Sequence, residues 1–429
     1  MTSKSKKIKS RTRVLLENSL ASLLTRASNI LVTLLLVPLS ISALGIENYG
    51  MVAMVLAFSI FFTFADFGLG SAIVKTIAEV GENKENIVNA VKIISNAWFF
   101  LFFISILIIL LSIIFYNLNI INYIFMVVTI LVAINMPFSL YVRILFAMQK
   151  NLQSGLWQTS GKILSLVIIY LYYILGYIDL NNYIYIFFGV PLFLNVIGTI
   201  LVFNKYDFYF PRKKFISIKE TATVIKTGFL FLILQVVPYI ETGIDTLFLN
   251  LKYDLEFIGK YDIFSKLFLY IPALISVAAF PLWPAISKAI VEGDLKWVLI
   301  LKARVYRFCS IISLMFTIVL VFFSKNIVFL WTKKQFLIDT NVVLSLAIVC
   351  FLYSMSLMQG MFLNGLGLIK EQVKFYLYYI VIMILLKIIV VINFGVFWML
   401  IFLILSMSVR WYYMEKIISI SIIEKNLKL

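Results

Sequence analysis

The chain has 429 residues, 63% of them hydrophobic and only 13% charged, with a mean hydropathy of +1.04 and a formal net charge of +17. Soluble domains carry about 45–50% apolar and about 25% charged residues, so this composition excludes a soluble globular fold and specifies an integral membrane protein. The apolar runs are continuous rather than alternating, which excludes a membrane β-barrel.

Residues 1–19 form a basic leader holding Lys4, Lys6, Lys7, Lys9, Arg11 and Arg13. The leader is too charged, and the apolar run after it too long, for a cleaved signal peptide; the first helix is expected to act as the insertion signal and to stay. A spanning helix needs about 20 mostly apolar residues, because its backbone must be satisfied within the segment. That rule predicts helices at 20–43, 49–74, 92–115, 122–148, 156–176, 183–203, 224–250, 260–287, 303–323, 341–366, 373–392 and 394–413. Asn393 to Gly395 join the last two by a short turn. The expected architecture is an all-α polytopic membrane protein with twelve transmembrane helices. It comprises a six-helix lobe at 20–203, a basic linker at 204–223, a second six-helix lobe at 224–413 and a tail at 414–429.

Orientation follows from lysine and arginine, which cytoplasmic loops retain. With both termini cytoplasmic, the inside holds the leader, the 204–226 loop (Lys205, Arg212, Lys213, Lys214, Lys219, Lys226) and the 288–307 loop (Lys288, Lys296, Lys302, Arg304, Arg307). Only Lys252, Lys260, Lys325, Lys333 and Lys334 fall outside, which supports an even number of spans. These cations flank helices in short loops, where they meet anionic headgroups. Membrane lipids are therefore the expected partner, and nucleic acid is rejected.

Catalytic chemistry is poorly supplied. Histidine is absent, which removes Ser-His-Asp and HExxH-type sites. Cys309 and Cys350 both sit in apolar helix and suggest neither a disulfide framework nor a metal site. There is no GxxxxGK[ST] phosphate loop, no cofactor is implied, and no predicted external loop is large enough to house a membrane-embedded glycan polymerase or ligase.

One stretch occurs twice: SAIVKTIAE at 71–79 and PAISKAIVE at 284–292, identical at five of nine positions with an offset of 213. Each copy ends in glycine and an acid, Gly81-Glu82 and Gly293-Asp294. Upstream, Glu47-Asn48-Tyr49-Gly50 matches Glu256-Phe257-Ile258-Gly259 at an offset of 209. Helices 1–6 and 7–12 therefore read as two halves in the same orientation. A parallel repeat around a central cavity is a recurrent transporter plan, in which alternating access moves one half against the other.

Charged groups deep in spans are costly and mark functional candidates. A shift of 209 sets Arg26 on Gln235, Val32 on Glu241, Leu36 on Asp245, Ala57 on Lys266 and Asp66 on Ile275. The scaffold is duplicated but its intramembrane charge is not, so these charges are assigned to cargo or coupling. Arg26 and Asp66 lie at similar depth and can form an ion pair between helices 1 and 2. Glu241 and Asp245, four apart on one helix face, form either a site for protons or Na⁺ or a polar seam neutralised by Lys266. Lys387, Arg143 and Lys162 are expected to snorkel to the interface. Pro272, Pro281 and Pro284 predict a kinked, gating eighth helix. Tyr239, Tyr261, Tyr270, Trp157 and Trp283 can stack on sugars if they face the cavity.

The order Leu44-Gly45-Ile46-Glu47-Asn48-Tyr49-Gly50, then Asp66-Phe67-Gly68-Leu69-Gly70, then Asp245 followed by Gly259-Lys260-Tyr261 resembles the polysaccharide transporters that flip O-antigen repeat units. These belong to the multidrug/oligosaccharidyl-lipid/polysaccharide exporter (MOP) superfamily. The resemblance covers nearly the whole chain in helix count and spacing. It implies a non-enzymatic flippase of the bacterial inner membrane that carries undecaprenyl-pyrophosphate-linked oligosaccharide to the periplasmic face for lipopolysaccharide or related polysaccharide biosynthesis. A polysaccharide polymerase and a chain-length regulator would be its partners, and membrane potential, H⁺ or Na⁺ its coupling. On this reading Arg26 and Lys266 are substrate-binding cations for the pyrophosphate; Asp66, Glu241 and Asp245 serve coupling, and Pro272 and Pro281 gating. An ion-coupled multidrug exporter of the same superfamily is the alternative, carried by Glu241 and Asp245. Lipid II flippases have an arginine cluster that this chain lacks, having only Arg26 and Lys266 in comparable helices.

Overall fold

The computed structural model describes residues 2–64, 69–78, 84–206, 210–279 and 282–426. Fifteen α-helices lie among them: α1 (Thr2–Thr63), α2 (Leu69–Ala78), α3 (Lys84–Asn117), α4 (Tyr123–Phe138), α5 (Leu140–Ala147), α6 (Asn151–Ile174), α7 (Leu180–Lys205), α8 (Ile218–Pro238), α9 (Asp245–Leu249), α10 (Leu255–Ala279), α11 (Leu282–Val291), α12 (Leu295–Thr332), α13 (Thr340–Gly365), α14 (Ile369–Phe394) and α15 (Val396–Asn426). Eight helices among the described residues are long and apolar enough to cross a bilayer. The protein is thus an all-helical, multi-pass membrane protein. The predicted helices at 20–43 and 49–74 fall largely on one broken helix, α1. Those at 122–148, 224–250 and 260–287 are each divided between two helices.

The breaks have local causes. Gly45 sits at φ 79°, ψ 170° inside α1, a conformation open to glycine and strained for L side chains. The turn expected near 44–48 is therefore a single residue. Pro238 ends α8, where the chain widens into a π turn at Tyr239–Gly243. Side-chain caps start other helices: Asn122 accepts from the Phe125 amide, Asp179 from Asn182 and Asp294 from Trp297.

The chain divides into two compact units, Met1–Leu44 with Phe58–Leu232, and Gly45–Ala57 with Ile233–Leu429. In the first unit, α4 packs on α3 and α7, α6 on α7, and α2 on α3 and α5. In the second, α13 is central, packing on α10, α11, α12 and α15. Leucines and phenylalanines such as Phe308, Leu314 and Phe322 face outward, while Glu241, Asp245, Lys387 and Arg410 are buried. This inversion of a soluble core fits a bilayer, which solvates apolar surface and charges heavily for exposed polar groups.

The repeated sequence has a structural counterpart. Both α2 and α11 are ten-residue helices, and their bounds differ by the same 213 positions as the repeat. Gly293 (φ 78°) follows α11 and Asp294 caps α12, so glycine plus acid reads as stop and restart. The upstream glycines meet one another inside the second unit. A Cβ on Gly50 would lie 1.9 Å from the Leu255 carbonyl oxygen, and one on Gly259 would lie 2.6 Å from that of Ile46. Small residues at membrane helix contacts let backbones approach in this way, and the contact explains why Gly45–Ala57 groups with α10. Gly50→Ala is expected to cost ~1–3 kcal/mol through overpacking, read as a lowered Tm in detergent. Gly189→Ala, where an added Cβ meets nothing within 4 Å, should leave Tm unchanged.

Candidate functional site

The site is built around the interruption of the seventh predicted span. Proline has no amide hydrogen to donate, and a π turn shifts its neighbours' pairing by one residue. Two carbonyls at this turn accept from a side chain: Lys387 Nζ of α14 donates to the Ile240 carbonyl at 3.1 Å and to that of Glu241 at 2.7 Å. The same ammonium pairs with Asp245 Oδ1 at the start of α9. All three ammonium hydrogens thereby have acceptors. Asp245 Oδ2 accepts from the Tyr261 hydroxyl of α10 at 2.6 Å.

Glu241 has its own cation. Arg410 of α15 donates from Nη2 to Glu241 Oε2 at 3.2 Å. Its Nε lies 2.8 Å from Oε1 but off the line of its N–H, so that contact is ionic. Tyr379 of α14 donates to Oε1 at 2.6 Å, and the guanidinium stands 6.0 Å from the centre of its ring. Glu241 is 1% exposed, Asp245 3%, Lys387 0% and Arg410 5%. Two carboxylates and two cations at this depth sum to zero, which avoids the several-kcal/mol penalty of an uncompensated buried ion.

A separate cluster joins Tyr49 of α1 to α10 within the second unit. Asp262 accepts from the Tyr49 hydroxyl at 2.5 Å and pairs with Lys266 at 2.6 Å. Lys266 Nζ also lies 3.1 Å from the Tyr49 hydroxyl and 5.4 Å from its ring centre. Further along α15, five residues beyond Arg410, Glu415 pairs with Lys302 and accepts from Tyr306, while Gln359 bridges it to the Trp411 carbonyl.

Three sequence expectations change here. Lys387 does not snorkel: its ammonium is fully buried, because two carbonyls and Asp245 solvate it better than the interface could. Lys266 does not neutralise Glu241 and Asp245; its carboxylate is Asp262, one helical turn away on its own helix. Tyr261 is 1% exposed and holds Asp245, so it is not a surface for stacking on a sugar. The structure brings Glu241 and Asp245 into one polar layer with Lys387, Arg410, Tyr261 and Tyr379. Arg143 and Lys162 are exposed, Lys162 donating to Asn29 at 2.9 Å. Helix α10 runs through Pro272 without interruption. Asp66 and Pro281, and the side chains of Arg26 and Pro284, lie outside the described residues.

Arg410 and Tyr379 are not among the candidates that the sequence offers. The last predicted helix ends at 413, three residues past Arg410, whereas α15 runs on to Asn426. A basic residue inside an apolar span was the available signal. Asp262 could have been found from its i,i+4 spacing to Lys266.

This multi-pass bundle, with its broken helix and buried, paired charge, shares its fold with solved membrane transporters. A multidrug resistance MATE family transporter of the MOP superfamily, solved inward-facing, superposes with a TM-score of 0.68 at 13% identity, covering 93% of this chain and 98% of that one. A MOP superfamily transporter from Pyrococcus furiosus, described as having a binding pocket of reversed polarity that suggests a different function, gives 0.64 at 13% identity and 96% of each chain. A Vibrio cholerae MATE transporter in its bent form gives 0.59 at 13% identity and 98% of each chain. No curated protein is a significant match to the chain. Residues 15–290 match the polysaccharide biosynthesis protein family; the chain belongs to that family. Its fold is that of these solved transporters.

Removing one partner of a buried pair strands the other. Lys387→Met and Asp245→Asn are each expected to cost ~3–5 kcal/mol, and the double variant less than their sum. Thermal unfolding in detergent, analysed as a double-mutant cycle, measures the coupling.

Proposed function

We propose that the protein is a flippase that carries an undecaprenyl-pyrophosphate-linked oligosaccharide, an O-antigen or related repeat unit, from the cytoplasmic to the periplasmic leaflet of a bacterial inner membrane by alternating access. The family membership across residues 15–290 carries this reading. Charge supports it over the multidrug alternative. An exporter of organic cations needs a free acid in its pathway, and the two acids of the seventh span are each held by an internal cation. Lys266 retains 24% of its side-chain exposure, so its side chain is not sealed off despite Asp262. Arg26, as a guanidinium, suits bidentate binding of a pyrophosphate. Asp66 is then either its ion-pair partner or a coupling acid.

Coupling is assigned to Glu241 and Asp245. A proton or Na⁺ would act by competing with Arg410 or Lys387 for a carboxylate, which would loosen the π turn that both cations hold. Pro272 and Pro281 would supply the flexibility of the helix pair α10 and α11. A polysaccharide polymerase and a chain-length regulator would receive the product.

Proteoliposomes loaded with a labelled polyprenyl-pyrophosphate oligosaccharide test the assignment. Protein-dependent movement of the lipid across the bilayer is expected, with at least a tenfold loss in Arg26→Ala or Lys266→Ala, about 1.4 kcal/mol in transition-state terms. Absence of lipid movement together with gradient-driven export of an organic cation would replace this reading with the drug exporter.

A further inference from the structure

Away from the charge network, the first unit carries a half-open groove of about 590 Å³. Trp98 and Phe102 of α3, Phe138 of α4, Ile200 and Phe203 of α7 and Lys213 of the following loop line it. The wall is ordered: Trp98 and Phe102, one turn apart, stack with ring centres 5.5 Å apart and planes 9° from parallel.

The basic loop beside the groove is fixed as well. Ser95 Oγ accepts from the Arg212 amide at 2.9 Å. Asn96 donates through Nδ2 to the Phe215 carbonyl at 2.9 Å and accepts through Oδ1 from the Ser217 amide at 2.7 Å. One side-chain amide thus pairs with the loop backbone in both directions. Arg212, Lys213 and Lys214 are thereby set in a defined place beside α3.

A further observation points to a ligand. Arg212, Lys213 and Lys214 are exposed, and among the described residues none of them makes an ion pair. An apolar trough beside a fixed, exposed cationic run matches a molecule with an apolar chain and an anionic head.

We propose that this groove is a specific seat for one anionic bilayer phospholipid, an acyl chain against the aromatic wall and the phosphate diester against Lys213 with Arg212 and Lys214. The groove falls within the range of ~300–1,000 Å³ for small-ligand sites. Its volume suits a single acyl chain, and the occupant assigned is a membrane lipid and not the transported cargo. A lipid held there clamps the loop to the headgroup plane.

Delipidated protein in neutral detergent, titrated with dioleoylphosphatidylglycerol and dioleoylphosphatidylcholine and read by native mass spectrometry, tests the proposal. The expected result is preferential retention of phosphatidylglycerol, reduced about fivefold for each cation removed in Lys213→Gln and Arg212→Gln. Ile200→Trp, which fills the groove from an exposed position, should abolish retention of both lipids without lowering Tm. Equal retention of the two lipids, an unchanged preference in Lys213→Gln, or displacement of phosphatidylglycerol by a long polyprenyl phosphate would each overturn it. None of these outcomes bears on whether the cargo moves.

Discussion

The interior of the second unit depends on one constraint: the charges it buries must cancel locally. Glu241 and Asp245 lie four residues apart, too close to share a dry environment as two bare anions. The chain answers by bringing one cation to each, Arg410 from α15 and Lys387 from α14. The π turn makes this possible. It offers the carbonyls of Ile240 and Glu241 to Lys387 and leaves Glu241 free to face Arg410. Tyr261 and Tyr379 complete the carboxylates' hydrogen bonding. Helix order, turn geometry and side-chain identity are bound together in this layer, which no single substitution could rebuild.

The same unit shows how a duplicated sequence acquires a shared purpose. Gly50 and Gly259 occupy matching positions in the repeat, and each opens space for the other's helix backbone. What the repeat conserves is close approach; what it leaves unduplicated is charge. Lys266 falls on Ala57 in the alignment, and Glu241 falls on Val32. The scaffold and the polar chemistry can therefore vary separately.

Much of the fold was legible because bilayers impose a blunt rule. Long apolar runs mark helices, and α3, α7, α12, α13 and α14 lie where hydropathy puts them. Helix interruptions were harder to read, since Pro238 looks like any tolerated membrane proline until the π turn behind it is seen. Within the site, Glu241 and Asp245 stood out as acids in a span. Their partners did not, because Lys387 and Arg410 lie far along the chain and pairing is a tertiary fact. Proximity in helix depth suggested Lys266 for Asp245, but the local i,i+4 contact with Asp262 wins. A lysine near a predicted helix end also reads as snorkelling until its head is seen enclosed.

The distance in sequence between acids and cations has a consequence during synthesis. Asp245 waits 142 residues for Lys387, and Glu241 waits 169 for Arg410. At a translation rate of about 5–20 residues per second, the segment holding Glu241 and Asp245 spends on the order of 10 to 30 s with both carboxylates unmatched. In that interval two acids in apolar surroundings are costly, a cost that protonation, water or the insertion machinery can offset. The last two helices therefore do more than complete the bundle: their arrival supplies the cations that α8 and α9 lack, so the charge balance of the second unit closes from its C-terminal end.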